Sequence, residues 1–161
     1  MNIITFKVSN SFIKNQCYLI YQNGEGVLVD PAWNYKLIND YIHINEIALL
    51  GILLTHSHID HTDLSTQFSE EYSCPVFMSE IEIKFYNFQC PNLTPIYNLK
   101  TFNIHEFRIL PILTPGHTKG GISYLIQGNL FTGDTFFIEG VGICDTPVSY
   151  THLTLPTTPY V

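Results

Sequence analysis

Eight consecutive residues, Ile47 to Leu54, are apolar apart from Gly51, and they run straight into Thr55-His56-Ser57-His58-Ile59-Asp60-His61. A short, uninterrupted apolar run fits a strand buried on both faces. Such a strand needs other layers on either side, and its C-terminal end delivers three histidines and an aspartate to the rim of a sheet. This junction restricts the fold to a layered domain with a rim suited to chemistry. The rest of the chain supplies the layers. Apolar stretches at Ile3 to Val8, Cys17 to Tyr21 and Val27 to Val29, with Asn23-Gly24 between the last two, predict strands and a β-hairpin. Tyr35 to Ile44 has apolar residues at helical spacing behind Asn34, a suitable N-cap.

Beyond the histidines, Asp63 to Tyr72 reads as a helix and Pro75 to Met78 as a strand. Ser79 to Phe85 reads as a helix opened by a Ser79/Glu82 capping box. Leu93 to Lys100 reads as a loop. Strands are expected at Phe107 to Leu113, Ile122 to Gln127 and Leu130 to Phe131, the last two joined by a turn at Gly128-Asn129. Strands and helices alternate early and strands dominate later, which favours a mixed α/β layered domain.

Composition supports a packed chain: of 161 residues, 45% are hydrophobic and 14% aromatic, and the mean hydropathy is +0.12. Seven Lys+Arg against fourteen Asp+Glu give a formal charge of −7, without the basic footprint that grips phosphate backbones. Nucleic acid is therefore not an expected partner, nor is a membrane, because no uninterrupted apolar run is long enough to cross a bilayer. The start, MNIITFKVSN, lacks a basic region leading into an apolar one, so a cytoplasmic address is expected. Cys17, Cys74, Cys90 and Cys144 show no CxxC pairing and read as reduced, mostly buried thiols. From Val148 to Val161 the string VSYTHLTLPTTPYV has no charged residue and resembles the conceptual translation of a transposase-type sequencing adaptor. The expected division is a domain over 1–147 and a non-native tail over 148–161, with His152 excluded as a ligand. A natural Thr/Pro-rich disordered end is the competing reading.

Imidazole suits zinc and other first-row metals, and a carboxylate among imidazoles helps neutralise a dication. His56 and His58 are two apart, so in extended backbone they leave on the same side and can share one ion. Asp60 and His61 come where the chain turns toward the next helix and can face a second position. His117 in Thr114-Pro115-Gly116-His117-Thr118 and Asp134 in Gly133-Asp134-Thr135 each follow an expected strand, so ligands from several strand ends can converge on one rim. The bland alternative is a loop of merely solvated rings. Thr55, Ser57, Thr118 and Thr135 flank these residues and can orient them or simply cap turns. Asp30, ending a strand before Pro31, can hydrogen-bond a ligand histidine. His43 and His105 read as solvated or hydrogen-bonded. Phe85-Tyr86-Asn87-Phe88 can line an acyl groove, though core packing is the simpler role.

HxHxDH, then PGHT, then FTGDT, in this order, resembles the metallo-β-lactamase superfamily of hydrolases, in its glyoxalase-II-like branch. The likeness covers Met1 to about Cys144. It implies a four-layered αβ/βα sandwich, incomplete at its C-terminus in this chain, with the site along one edge of two sheets. It also implies two zinc ions, with iron or manganese as alternatives. His56, His58 and His117 would hold the first, Asp60 and His61 the second, and Asp134 would bridge them. A further metal-binding His from a later strand end is usual in the family and lies beyond this chain, so the second site is expected to be incomplete. Glyoxalases usually carry Arg where Ile143 stands, which argues against a glutathione thioester. GVGICD and CPVFMSEIEIKFYNFQCPNLTP are similar to zinc hydrolases of bacterial trans-acyltransferase polyketide pathways, thought to remove acyl groups from carrier proteins.

A water shared by two dications has its pKa lowered toward roughly 7, supplying hydroxide for attack on a polarised carbonyl. Asp60 is the expected catalytic residue, orienting that hydroxide and shuttling its proton. A thiolate leaves with little protonation, so a thioester, as a small acyl-thiol or an acylated carrier protein, is the expected substrate. Two other readings remain open: a mononuclear-iron oxygenase on the same fold, and an inactive fragment.

Overall fold

The computed structural model describes residues 1–137 and 140–143. Cys144, His152 and the whole 148–161 tail, together with the boundary at 147, lie outside these residues. The chain opens with β1 (Asn2–Ser9), β2 (Lys14–Gln22) and β3 (Glu25–Val29), followed by α1 (Tyr35–Ile44) and β4 (Ala48–Leu53). Next come α2 (Ile59–Thr62), α3 (Ser65–Tyr72), β5 (Val76–Ser79), α4 (Glu80–Tyr86) and β6 (Leu93–Ile96). The remaining strands are β7 (Phe102–Ile104), β8 (Phe107–Leu113), β9 (Ile122–Ile126) and β10 (Asn129–Phe131), then a 3-10 turn at Gly133–Thr135, β11 (Phe136–Phe137) and β12 (Gly140–Val141).

β1 to β6 form one sheet in sequence order, β10-β9-β8-β7 a second, and β11-β12 a small ribbon. The β2–β3 hairpin turns at Asn23 and Gly24, both in left-handed backbone (φ 53° and 78°), as the Asn-Gly signal requires. From β3 onward the first sheet is parallel, so β3 and β4 end together, with Val29 beside Leu53. That register brings Asp30 next to Thr55 at one rim.

Two cores explain the layering. On one face of the first sheet, Leu19, Leu28, Ile52 and Leu54 pack with Ile38 and Ile42 of α1 and Phe68 of α3. Between the sheets, Ile20, Val27, Val29 and Leu53 meet Phe107, Ile109, Ile122, Tyr124 and Ile126. Gly51 interrupts the apolar run because a Cβ there would lie 3.0 Å from Ile104 and 3.3 Å from Phe77, where the second sheet approaches. Tyr124, fully buried, donates its hydroxyl to the Leu54 carbonyl (2.7 Å), and Ile122 N–H donates to the Thr55 carbonyl (2.9 Å). The two sheets are thus tied together beside the histidines. Helix, sheet and sheet are the three layers seen among the described residues, and no helix there is long and apolar enough to cross a membrane.

Four local expectations change. A separate short helix, α2, precedes the helix expected from Asp63, which itself starts at Ser65, so Asp60 and His61 sit on α2 rather than in a turn. Ser79 caps α4 by position only: its side chain makes no capping bond, and the Glu82 carboxylate bonds Ser57, Thr118 and Gly120 instead of reaching back to it. Leu93 to Ile96 is a strand despite Pro95, which is tolerated because β6 is the sheet edge. The turn between β9 and β10 sits one residue early, with Gln127 and Gly128 at φ 46° and 87°. β7 is a short strand that the sequence pattern did not single out. α1 matches its expected bounds, with the Asn34 side chain accepting from Leu37 N–H.

Candidate metal centre

The strand ends converge as the sequence pattern predicts. His56 and His58 follow β4, His61 projects from α2, His117 follows β8, and Asp134 sits in the 3-10 turn after β10. Gly133 makes the last placement possible: its φ is +51°, and a Cβ would fall 2.4 Å from Thr55 Oγ1. Two donor sets result, His56/His58/His117 and His56/His61/Asp134, each with its ligand atoms within 4.8 Å of one another.

In the first set, His58 Nδ1 lies 3.1 Å from His56 Nε2 and 2.9 Å from His117 Nε2. A single ring proton cannot serve both contacts. A tetrahedral zinc ion with Zn–N of about 2.0–2.1 Å places ligand nitrogens ~3.3 Å apart, so the three nitrogens fit a shared cation. In the second set, His61 Nε2 is 3.2 Å from Asp134 Oδ1, while Asp134 Oδ2 is 3.5 Å from His117 Nε2. Asp134 therefore spans the two positions.

The outer ring nitrogens are held by the protein. His117 Nδ1 donates to the Ile143 carbonyl at 2.6 Å. Asp30, 3% exposed, accepts from His61 Nδ1 (2.9 Å), from Thr55 Oγ1 (2.7 Å) and from Thr55 N–H (2.8 Å). Because the Thr55 hydroxyl donates to Asp30, its oxygen is free to accept from His56 Nδ1, 3.0 Å away. One carboxylate so fixes the tautomers of His56 and His61 and leaves both Nε2 atoms aimed inward.

Burial, reinforced by His61, His58 and His117, pushes the His56 pKa well below the ordinary imidazole value, keeping the ring neutral as a ligand must be. Burial also opposes a charge on His61, yet Asp30 and Asp134 outweigh it and hold that ring at about 10 in the metal-free chain. Burial would raise Asp134, but the His61 hydrogen bond overrides it and holds the carboxyl below the usual range.

Asp60 is adjacent but looser: Oδ2 is 3.7 Å from His61 Nε2, and neither compact donor set includes it. Asn15, which the sequence reading passed over, reaches across from β2. Its Nδ2 donates to the Asp60 carbonyl (2.9 Å), is 3.4 Å from Asp60 Oδ2 and lies 2.8 Å from His61 Nε2. No spacing signal could have linked it to the histidines, since it is the packing of α2 against β2 that brings it there. Asp30, Asn15, His61 and Asp134 line one wall of a cleft of ≈ 1010 Å³, with Lys7, Lys14, Tyr18 and Phe136 also along it. The Phe85 to Phe88 stretch does not line this cleft; Phe88 packs against the first core and Phe85 is 61% exposed. His43 and His105 lie away from the site near Glu71 and Glu25. Thr135 bonds Thr114 rather than a ring, while Ser57 and Thr118 turn toward Glu82.

The metallo-beta-lactamase superfamily profile matches residues 12–158, and the chain belongs to that family. Over 140 residues it is 44% identical to the "Probable polyketide biosynthesis zinc-dependent hydrolase BaeB" of Bacillus velezensis, covering 86% of this chain and 62% of that protein. It is 31% identical over 150 residues to a hydroxyacylglutathione hydrolase of Shewanella oneidensis, covering 87% of this chain and 55% of that protein. The crystal structure of ETHE1 from Myxococcus xanthus superposes with a TM-score of 0.75 at 26% identity, covering 89% of this chain and 62% of that one. The crystal structure of the BLEG-1 B3 metallo-beta-lactamase superposes at 0.78 and 24% identity, covering 89% and 77%, which shows the shared fold. The chain thus spans about 55–62% of the length of these curated relatives.

Proposed function

We propose that this chain carries the metal-binding core of a zinc-dependent hydrolase that cleaves acyl thioesters, on a small thiol or an acylated carrier protein. The observation that carries the reading is the pair of donor sets sharing His56 at one rim. When bound there, a dication would supply a coordinated water with a pKa near roughly 7 and a Lewis acid for a carbonyl. His56, His58 and His117 would hold the first ion, and His61 and Asp60 the second, with Asp134 between them. Asp60 is also the proposed proton acceptor, steadied by Asn15, whose side chain donates to the Asp60 carbonyl and lies 3.4 Å from its Oδ2.

The substrate class follows from the leaving group. A departing amine needs a proton donor, whereas a thiolate, with parent pKa near ~8.5, leaves with little protonation. The cleft of ≈ 1010 Å³ beside His61 has room for an acyl-thiol arm. Position 143 carries an exposed Ile, whose carbonyl orients His117, and this supports a thiol other than glutathione. The relatives named as polyketide zinc-dependent hydrolases fit the same reading. The test is thiol release from acyl-pantetheine, acylated carrier protein and acyl-glutathione by the zinc-loaded protein. Release from the first two, lost in His58→Ala, is expected. Equal release by wild type and His58→Ala, or none from any thioester, contradicts the proposal.

A further inference from the structure

A buried carboxylate outside the His/Asp cluster joins the two loops that supply the first donor set. Glu82, in the first turn of α4, is 0% exposed. Its Oε1 accepts from Ser57 N–H (2.9 Å) and the Ser57 hydroxyl (2.8 Å). Its Oε2 accepts from the Thr118 hydroxyl (2.9 Å) and Gly120 N–H (2.9 Å). Ser57 stands between His56 and His58, and Thr118 directly follows His117. One oxygen therefore serves the loop after β4 and the other the loop after β8.

All four donors are neutral, and no Lys, Arg or His pairs with Glu82 among the described residues. Burying a carboxylate is costly unless its lone pairs are filled. Four donors fill them here, so the arrangement tolerates little substitution. Gly120 shows how closely the second loop is drawn in: a Cβ there would lie 2.2 Å from Glu82 N and 2.7 Å from Glu82 Cα. Sequence spacing presented Glu82 as half of a capping box, but the structure spends both oxygens on the ligand loops and leaves Ser79 without a capping bond.

We propose that Glu82 is a positioning residue for the first metal position, setting the separation between the His56/His58 pair and His117 before an ion arrives. The inference rests on the reading above that these three rings share a cation. Partners that orient ligands without touching the metal typically contribute ten- to a hundredfold to metal affinity. Glu82 differs from ordinary partners of this kind in bonding no ligand ring. It acts on the backbone and hydroxyls of two loops at once.

Glu82→Gln keeps the shape and removes one acceptor. Whichever way the amide turns, its NH2 faces a backbone N–H of Ser57 or Gly120, and that loop loses its anchor. The experiment compares wild type and Glu82→Gln by zinc affinity against a chelator, by the ligand-field absorption of the cobalt-substituted protein, and by metal-free thermal unfolding. The expected result is zinc bound ten- to a hundredfold more weakly with a shifted cobalt spectrum. If Glu82→Gln does not fold, Thr118→Val carries the test. It deletes one hydroxyl–carboxylate bond and should weaken zinc binding by about tenfold. Wild-type affinity and spectrum in the folded variant, whatever its melting temperature, would reduce Glu82 to a fold-stabilising group and overturn the proposal. A wild-type protein that takes up no ion sinks the metal reading itself, a separately recognisable outcome.

Discussion

Replacing Asp30 with Asn tests the geometry of the centre without touching any residue proposed to hold an ion. The carboxylate accepts three bonds while almost fully buried, one of them from His61 Nδ1 at 2.9 Å. An Asn that keeps its oxygen toward Thr55 N–H presents its NH2 to His61 Nδ1. That nitrogen must then become an acceptor, which moves the ring proton to Nε2, the atom facing Asp134 at 3.2 Å. A bond to a charged partner contributes about 1.5–3 kcal/mol. At ~1.4 kcal/mol per decade, affinity at the His61/Asp134 position should fall by roughly ten- to a hundredfold, measured by competition between the protein and a chromophoric chelator. The metal-free protein gives a second readout. His61 is held at about 10 when folded, above its ordinary 6.5. Its contribution is therefore fully present below about pH 6.5 and is lost as pH rises through 10. The wild-type melting temperature should fall over that window more than that of Asp30→Asn. Chelator affinity within twofold of wild type, together with superimposable pH profiles, would refute this account of Asp30.

Other perturbations probe separate links. His58→Ala should abolish thioester hydrolysis and weaken binding of the first ion while leaving the far-UV circular dichroism unchanged, because His58 lies at the rim rather than in either core; retained turnover would remove the mechanism. Gly133→Ala forces a side chain into left-handed backbone at φ +51° and to within 2.4 Å of Thr55 Oγ1. With ~1–2 kcal/mol for the backbone and ~1–3 for overpacking, the melting temperature should drop by about 5–15 °C, and an unchanged value would show that the turn relaxes freely. Burial pushes the Cys74 thiol up to about 11 and Cys17 well above its usual value. Alkylation at pH 8 followed by peptide mapping should therefore leave both unmodified in the native protein, and labelling at the denatured rate would contradict their burial.

The parts of the molecule legible in the sequence are those whose signal is local. The apolar run into Thr55 and His56, the Asn23-Gly24 turn and the Asn34 cap each state their own structure, and the His and Asp motifs sit where strands end. What escaped depends on pairing between distant segments. β6 carries Pro95, and only its place at a sheet edge allows it to pair. Asn15 reaches His61 because β2 lies beside α2, a relation with no sequence period. Glu82 was misassigned for a physical reason: a Ser followed three residues later by Glu is a helix-start signature, but two loops with unsatisfied donors offered the carboxylate more bonds than one helix end. Asp60 was expected beside His61, and α2 sets its carboxylate 3.7 Å from His61 Nε2, a distance that spacing alone does not state.

Metal analysis of the purified protein after zinc loading and exhaustive dialysis bears most directly on the centre, run beside His58→Ala. At least one tightly held transition ion per chain, with occupancy collapsing in the variant, is the predicted result. A wild-type protein that emerges from dialysis without a bound ion, or a variant that retains as much as wild type, would contradict it.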